Sequence, residues 1–295
     1  IDAMLLQAGW DVENADQVGQ EVEVKFPNNP SGKGYVDYVL WGDNGQPLAV
    51  VEAKKSGNTS LQAGREQARL YADALEQMGY VRPVIFYTNG YETFIWDDKQ
   101  YNTYRSVYGF YSKASLEHLV YQRQYRAANV EQFNPDLSIA DRPYQIEAIK
   151  TVAAHFQQQR RKALIIQATG TGKTRVAIAL AELLLRTSWA KRVLFLCDRK
   201  ELRVQADDAF KTNLPTEPRC VIGETNKIDQ SARIYIATYP GMLNRFAQLD
   251  VGFFDLIIAD ESHRSIYNKY RDLFDYFDAL QVGLTATPVK FISRN

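Results

Sequence analysis

Residues 163–174 read Ala-Leu-Ile-Ile-Gln-Ala-Thr-Gly-Thr-Gly-Lys-Thr, an apolar run followed by a glycine-rich loop. The apolar run predicts a strand and the residues after the loop predict a helix, which is the context of a phosphate-binding loop. Two glycines allow the left-handed backbone that turns N–H groups onto phosphates. Lys173 supplies a cation for the β- and γ-phosphates, and the Thr174 hydroxyl can ligate Mg²⁺. We therefore expect ATP and Mg²⁺ to bind at this loop, with ATP contacts from Ala168, Thr169, Gly170, Thr171, Gly172, Lys173 and Thr174.

The composition describes an ordinary globular chain with room for two domains. It has 295 residues, of which 45% are apolar and 24% charged. No apolar run approaches the ~18 residues of a membrane span, so no membrane association is expected. Cys197 and Cys220 lack metal-site spacing and lie in apolar runs, which favours reduced, buried thiols and a cytoplasmic location. The formal net charge is zero, so any DNA binding must depend on local groups of charges.

Two blocks follow one another along the chain. Residues 1–127 mix strand and helix patterns, and residues 128–141 have the composition of a linker. In residues 142–295 helix and strand patterns alternate, which is typical of a parallel sheet covered by helices. We expect an α/β chain in which a mixed-sheet domain precedes a parallel-sheet domain.

Two carboxylates follow a strand pattern in the second block. Residues 254–259 are apolar and lead into Asp260-Glu261-Ser262-His263. Asp260 would hold the Mg²⁺ shell, and Glu261 would orient and deprotonate the attacking water. Asp-Glu after a strand is also a common helix-capping sequence. The phosphate-binding loop upstream favours the hydrolytic role.

Two further motifs bracket these elements. Arg142-Pro143-Tyr144-Gln145 opens a helix, and the amide of Gln145 could pair with the edge of adenine. An exposed glutamine at a helix start is the alternative. At the other end, an apolar strand pattern at 281–284 leads into Thr285-Ala286-Thr287-Pro288.

The first block has charged residues within apolar strands. Asp37 interrupts one strand pattern, and Glu52 and Lys54 share one face of the next, because strand side chains alternate. A turn centred on Asn44-Gly45 places Asp37 opposite Glu52. Two facing carboxylates repel unless a divalent cation lies between them, and Lys54 could stabilise developing phosphorane charge.

The helix that follows presents Gln67 and Tyr71 on one face, with Arg65 and Arg69 beside them at the same spacing. The pattern Asp…Glu-x-Lys occurs by chance in many chains. The helix pair and the adjoining motor-like block favour a nuclease centre in which Asp37 and Glu52 bind metal and Lys54 assists catalysis.

Taken in order, the second-block motifs resemble the Q motif and motifs I, II and III of superfamily 2 helicases and translocases, although Gln167 stands where the strict loop motif has Gly. The resemblance implies a RecA-like P-loop domain, with Arg142 and Gln145 at the nucleotide. Such motors use two lobes, and only the first is expected here, so the chain looks like a fragment. The resemblance places contacts to DNA, or coupling to it, at Asp198, Arg199, Thr238, His263, Thr285 and Thr287.

Asp37…Glu52-Ala53-Lys54 followed by Gln67-x-x-x-Tyr71 resembles the PD-(D/E)XK nuclease of the restriction (R) subunits of type I restriction–modification enzymes. This implies a restriction-endonuclease-like domain at 1–127, with Gln67 and Tyr71 in contact with DNA or coupling to it, before the RecA-like domain at 142–295. It also implies ATP-dependent translocation, Mg²⁺-dependent cleavage of double-stranded DNA, and modification (methyltransferase) and specificity subunits as partners. The alternatives are a nuclease–helicase of DNA repair or another defence system, and a catalytically silent ATP-responsive DNA-binding module.

Overall fold

Two structural units make up the chain in a computed structural model. The structure describes residues 1–26, 29–54, 61–223, 227–262 and 268–287. The first unit comprises residues Ile1–Gln124 together with Leu249–Phe253, and the second comprises Tyr125–Gln248 and Phe254–Asn295. Both units combine a six-stranded sheet with helices, so the α/β fold class expected from the sequence is confirmed.

The first unit contains a mixed sheet whose strands lie in chain order. Its strands are β1 (Val18–Lys25), β2 (Lys33–Trp41), β3 (Pro47–Ala53), β4 (Val84–Thr88), β5 (Thr93–Trp96) and β6 (Arg105–Val107). Its helices are α1 (Asp2–Gln7), α2 (Leu61–Gln77) and α3 (Lys113–Tyr125). Neighbouring strands are antiparallel except for β3 and β4, which are parallel because α2 carries the chain back between them.

Helix α2 covers one face of this sheet. Ala68, Ala72 and Leu75 of the helix pack in one buried cluster with Val50 of β3 and Ile85 of β4. Side chains two residues further along β3 therefore point to the same face, towards the N-terminal half of α2. This alternation places Glu52 beneath the helix.

The segment Leu249–Phe253 belongs to the first unit, although it lies 124 residues after Tyr125, the first residue of the second unit. The hydroxyls of Ser112 and Ser115 donate hydrogen bonds of 2.9 and 3.1 Å to Oδ2 of Asp250. A Cβ on Gly252 would lie 2.4 Å from the Tyr111 ring, so only glycine fits there. Burial raises the pKa of Asp250, and the serine hydrogen bonds oppose that shift.

The second unit contains a wholly parallel sheet in the order β7-β12-β11-β8-β10-β9. Its strands are β7 (Lys162–Ile166), β8 (Val193–Cys197), β9 (Arg219–Val221), β10 (Ile234–Thr238), β11 (Leu256–Ala259) and β12 (Leu280–Thr285). Its helices are α4 (Pro143–Gln157), α5 (Lys173–Arg186), α6 (Lys200–Asn213), α7 (Tyr239–Leu243) and α8 (Arg271–Tyr276), with short 3₁₀ turns at Val130–Gln132 and Phe246–Gln248.

Helix α5 lies in the core of the second unit, and nine of its residues between Val176 and Leu185 are buried. The stretch predicted to be a linker contributes Val130, Ile139 and Ala140 to the same core. Because all strands run in one direction, their carboxyl ends lie along one edge of the sheet. The loops that leave this edge carry the predicted ATP-binding motifs.

Cys197 is buried and Cys220 is half-buried, and both are free thiols. Among the described residues, no helix is both long and apolar enough to cross a bilayer.

Candidate active sites

The register between β2 and β3 sets the positions of the acidic residues of the first unit. Tyr38 pairs with Val51 and Leu40 pairs with Ala49, so the register predicted from the sequence is confirmed. Extending this ladder by one residue brings Asp37 beside Glu52. Both side chains lie on the face that α2 covers.

The turn that joins these strands differs from the predicted one. The Gly42 N–H donates to the Gln46 carbonyl oxygen at 2.9 Å, which leaves a three-residue loop, and Gly45 takes a φ of 70°. The prediction of a two-residue turn at Asn44-Gly45 is therefore wrong. The register is still as predicted because it shifts by one residue between Leu40 and Trp41, which offsets the longer loop.

The two carboxylates occupy different environments. Asp37 is half-buried, and its Oδ2 accepts a hydrogen bond of 2.7 Å from the Ala53 N–H. Glu52 is only 2% exposed. Burial raises the pKa of Glu52 to about 7, the hydrogen bond from Lys54 opposes this, and the charge of Asp37 adds to it. The backbone thus donates a hydrogen bond to Oδ2 of Asp37, whereas burial makes ionisation of Glu52 unfavourable.

Lys54 connects Glu52 to helix α2. Its Nζ lies 2.6 Å from Oε1 of Glu52 and donates to Oε1 of Gln67, also at 2.6 Å. The Gln67 amide nitrogen in turn donates to the Tyr71 hydroxyl at 2.8 Å. A Cβ at Gly64 would lie 3.0 Å from Cγ of Lys54, so the glycine gives the lysine stem room. The structure thus brings together all five residues predicted for the nuclease centre.

One oxygen of this cluster has no partner. Oε2 of Glu52 is buried and accepts no hydrogen bond from any described residue. A buried carboxylate oxygen without a partner costs roughly 1–3 kcal/mol, or more when charged. Two neighbouring carboxylates with one unsatisfied oxygen suit a hard divalent cation such as Mg²⁺. Among the described residues, no group of three or more His, Cys, Asp or Glu side chains forms a metal cluster.

In the second unit, the phosphate-binding loop has the backbone that the sequence predicts. Gly170 and Gly172 have φ values of 78° and 88°, and α5 begins at Lys173 with Gly172 as its N-cap. The Thr171 hydroxyl donates to the Ala168 carbonyl oxygen at 2.7 Å and narrows the loop. The free N–H groups of the first helical turn can therefore bind an anion.

Lys173 faces the acidic pair at the end of β11. Its Nζ lies 3.8 Å from Oε1 of Glu261, whose backbone is left-handed with a φ of 50°. The Glu261 N–H donates to Oδ1 of Asp260 at 3.0 Å. Burial raises the pKa of Asp260; the backbone hydrogen bond and the charge of Lys173 lower it. The structure thus brings Lys173, Asp260 and Glu261 together beside half-buried Thr174, and their roles towards Mg²⁺, nucleotide and water remain predictions.

Gln145 lies against the phosphate-binding loop. It is 1% exposed, and its amide nitrogen donates to the Thr171 carbonyl oxygen at 2.9 Å. Its Oε1 accepts from the Arg142 N–H at 3.4 Å. The alternative of an exposed helix-start glutamine is therefore wrong. The contact with adenine remains a prediction.

Two tyrosines beside predicted site residues make contacts that the sequence did not indicate. The Tyr144 hydroxyl donates to the Thr171 carbonyl oxygen at 3.0 Å and accepts from the Arg142 guanidinium at 2.8 Å. The buried Tyr239 hydroxyl donates to the Asp260 carbonyl oxygen at 2.7 Å. Each adjoins a predicted site residue in the chain, which is the signal that could have identified it.

The residues predicted to contact DNA or to couple to it in the second unit follow strands at the same sheet edge. Half-buried Asp198 and exposed Arg199 follow β8 and form an ion pair of 3.6 Å. The Thr238 hydroxyl accepts from the Gly241 N–H at 3.2 Å and caps α7. Thr285 ends β12 and its hydroxyl accepts from the Thr287 N–H at 3.3 Å. His263 lies outside the described residues.

Comparison with known proteins identifies two regions. Residues 12–104 match the model of the type I restriction enzyme R protein N terminus, HSDR_N. Residues 138–290, more than half of the chain, match the model of the type III restriction enzyme, res subunit.

Two of the relatives are type I restriction enzyme subunits of Escherichia coli. The chain is 33% identical to the EcoAI type I endonuclease subunit of Escherichia coli, covering 96% of this chain and 37% of that protein. It is 27% identical to the EcoKI subunit of E. coli strain K12, covering 98% and 32%. A solved fragment assigned to an HsdR subunit from Vibrio vulnificus YJ016 is 26% identical, covering 99% and 55%, with a TM-score of 0.43.

The chain spans about a third of the length of the two E. coli relatives. Both regions and both relatives agree with the resemblance found in the motifs, which is confirmed. The chain belongs to the family of restriction (R) subunits of type I restriction enzymes, with an HSDR_N region followed by a res-type region.

Proposed function

We propose that this chain contains the DNA-cleaving centre and the first ATP-binding lobe of a restriction subunit that translocates double-stranded DNA and cleaves it in the presence of Mg²⁺. Modification (methyltransferase) and specificity subunits would be its partners, and the complex would act in the cytoplasm. The family supports restriction-enzyme function in general. The contacts of individual side chains support the finer assignments.

The unpartnered oxygen of buried Glu52 is the observation that carries the cleavage proposal. Asp37 and Glu52 would hold the cation, which supplies positive charge to the scissile phosphate and activates a water molecule. Lys54 is held by Glu52 and Gln67 so that its ammonium lies at the carboxylate pair, where it can stabilise negative charge on the phosphate. Tyr71 fixes the amide of Gln67 and thereby orients Lys54.

In the second unit, the ion pair of Lys173 with Glu261 supports an ATPase role. The backbone N–H groups of the loop and Lys173 would bind the phosphates, and Thr174 and Asp260 would hold Mg²⁺. Release of Glu261 from Lys173 would leave its carboxylate free to orient the attacking water. Because Lys173 would pair first with Glu261 and then with the phosphates, nucleotide binding would be linked to hydrolysis.

Separate inactivation of the two sites tests the proposal. In the full-length protein assembled with its partner subunits, Asp37→Ala should stop plasmid cleavage and leave DNA-stimulated ATP hydrolysis intact, because the sites lie in different units. Lys173→Ala should stop both. Glu23→Ala is a matched control, since Glu23 is an exposed carboxylate on β1 paired with Lys33. Cleavage by Asp37→Ala at the rate of Glu23→Ala would refute the nuclease assignment.

A further inference from the structure

The row of carboxylates in the first unit continues across the sheet as a row of aromatic rings. Glu52 of β3 is aligned with Tyr87 of β4, and Tyr87 is aligned with Phe94 of β5. Aligned residues of neighbouring strands point to the same face of a sheet. The Tyr87 and Phe94 rings stack with centroids 5.0 Å apart and an interplanar angle of 9°.

Tyr104 brings this row to the surface. Its ring centroid lies 5.7 Å from that of Tyr87 and 5.8 Å from that of Phe94, edge-on to both, and the residue is 40% exposed. Because neighbouring strands lie about 4.8 Å apart, the Tyr104 ring is on the order of 10 Å from Glu52. This distance corresponds to about three nucleotides along one DNA strand.

Arg65 of α2 lies over the same ring. Its guanidinium carbon is 5.0 Å from the Tyr104 centroid. Within the described part of the chain, Arg65 forms no ion pair with a carboxylate. Arg69, one turn later, is paired with Glu66 at 2.5 Å and with Asp73 at 3.1 Å. On helix α2, beside the candidate nuclease centre, Arg69 therefore has carboxylate counterions, whereas Arg65 has none among the described residues.

We propose that Arg65 and Tyr104 form a contact for the DNA strand about three nucleotides from the scissile phosphate, with the guanidinium on a backbone phosphate and the ring against a base or sugar. Guanidinium groups stack on aromatic rings while they pair with phosphate, and exposed rings bind nucleotides by stacking. The buried Tyr87 ring and the half-buried Phe94 ring hold Tyr104 in place. This inference rests on the proposed cleavage function of Asp37 and Glu52.

Single-turnover cleavage of double-stranded DNA by the assembled full-length enzyme, measured at several salt concentrations, tests the contact. Arg65→Ala and Tyr104→Ala should each slow cleavage by roughly tenfold, the scale of one lost stacking or phosphate contact. For Arg65→Ala the plot of log rate against log salt should also become shallower, by about 0.9. Tyr104→Phe keeps the ring and should cleave at the wild-type rate.

Arg69→Ala is the matched control and should leave both the rate and its salt dependence unchanged. DNA-stimulated ATP hydrolysis should be unchanged in every variant, which separates loss of this contact from loss of the fold. If Arg65→Ala lowers the unfolding midpoint, Arg65→Lys replaces it as the test. This variant keeps the positive charge and should therefore keep the wild-type salt dependence.

Cleavage rates of Arg65→Ala and Tyr104→Ala equal to that of Arg69→Ala would overturn the contact site. The same result would leave the proposed cleavage function standing, provided that Asp37→Ala is inactive. Cleavage by Asp37→Ala would instead overturn the proposed function on which the contact depends.

Discussion

The ammonium of Lys173 lies 3.8 Å from the carboxylate of Glu261, across the gap between the start of α5 and the end of β11. Each charge is the other's counterion in this arrangement. The phosphates of a nucleotide would compete for Lys173 and free Glu261.

Glu261→Gln should therefore bind ATP at least as tightly as the wild-type protein, because a negative charge next to the γ-phosphate is removed. Hydrolysis should fall by about 10²–10⁴, the usual contribution of a general base. Binding and turnover of ATP by the full-length protein measure the two effects. Glu182→Gln, which alters an ion pair with Arg186 elsewhere in the same unit, should change neither. Wild-type turnover in Glu261→Gln would contradict the assignment.

Gln145→Ala tests whether the Gln145 side chain supports the phosphate-binding loop or recognises adenine. Its nitrogen and oxygen both have partners within the chain and the residue is buried, so the substitution should loosen the phosphate-binding loop. The affinities for ATP and GTP should then fall together. Tyr144→Phe removes the other hydrogen bond to Thr171 and the one from Arg142, both at an exposed side chain, and should have a smaller effect. A selective loss of ATP affinity in Gln145→Ala would show that the amide reads adenine.

The two loop glycines should differ in their tolerance of alanine. Both have left-handed φ values, which cost an alanine about 1–2 kcal/mol. A Cβ at Gly170 meets nothing within 4 Å, whereas a Cβ at Gly172 would lie 2.6 Å from the Gln145 amide nitrogen. Gly172→Ala should consequently lose more nucleotide affinity than Gly170→Ala in a direct titration. Equal losses would mean that Gln145 moves away freely.

Glu52 should make the stability of the metal-free first unit depend on pH. Burial raises its pKa to about 7 from 4.5, so the ionised side chain destabilises the fold at neutral and higher pH. Below about pH 4.5 the carboxyl is protonated in both folded and unfolded chains, and this contribution disappears. Glu52→Gln should accordingly gain stability relative to wild type as pH rises from about 4.5 to 7.

The gain is on the order of 3 kcal/mol, which already includes the opposing effect of Lys54 on the pKa. Three of the four tryptophans lie in the first unit, so fluorescence of a Trp189→Phe background reports on its unfolding. Magnesium should stabilise the protein with Glu52 and have little effect on Glu52→Gln. A stability difference that stays constant over this pH range would refute the cause given for the shift.

The sequence was informative where short-range periodicity determines structure. Alternation in β2 and β3 and the Asn44-Gly45 turn signal led to the correct register, although the loop has one more residue than expected. Glycines and an apolar strand likewise predicted the phosphate-binding loop. In both cases the chemistry depends on neighbours in the chain or on directly paired strands.

Features that depend on distant parts of the chain were missed. Strand β6 has only three residues, too few for a periodic pattern. Nothing near Asp250 indicates that it accepts hydrogen bonds from Ser112 and Ser115, because those partners lie well over 100 residues away. The stacking of Tyr87 on Phe94 also follows from sheet register rather than from local sequence.

The division of the first unit between two chain segments has a consequence for its synthesis. A ribosome adds roughly 5–20 residues per second, so Leu249–Phe253 emerge on the order of ten seconds after residue 124. Until then the Ser112 and Ser115 hydroxyls lack their buried acceptor, Asp250. A nascent chain should therefore hold an incomplete first unit while most of the second unit is being made, which delays completion of the first unit during translation.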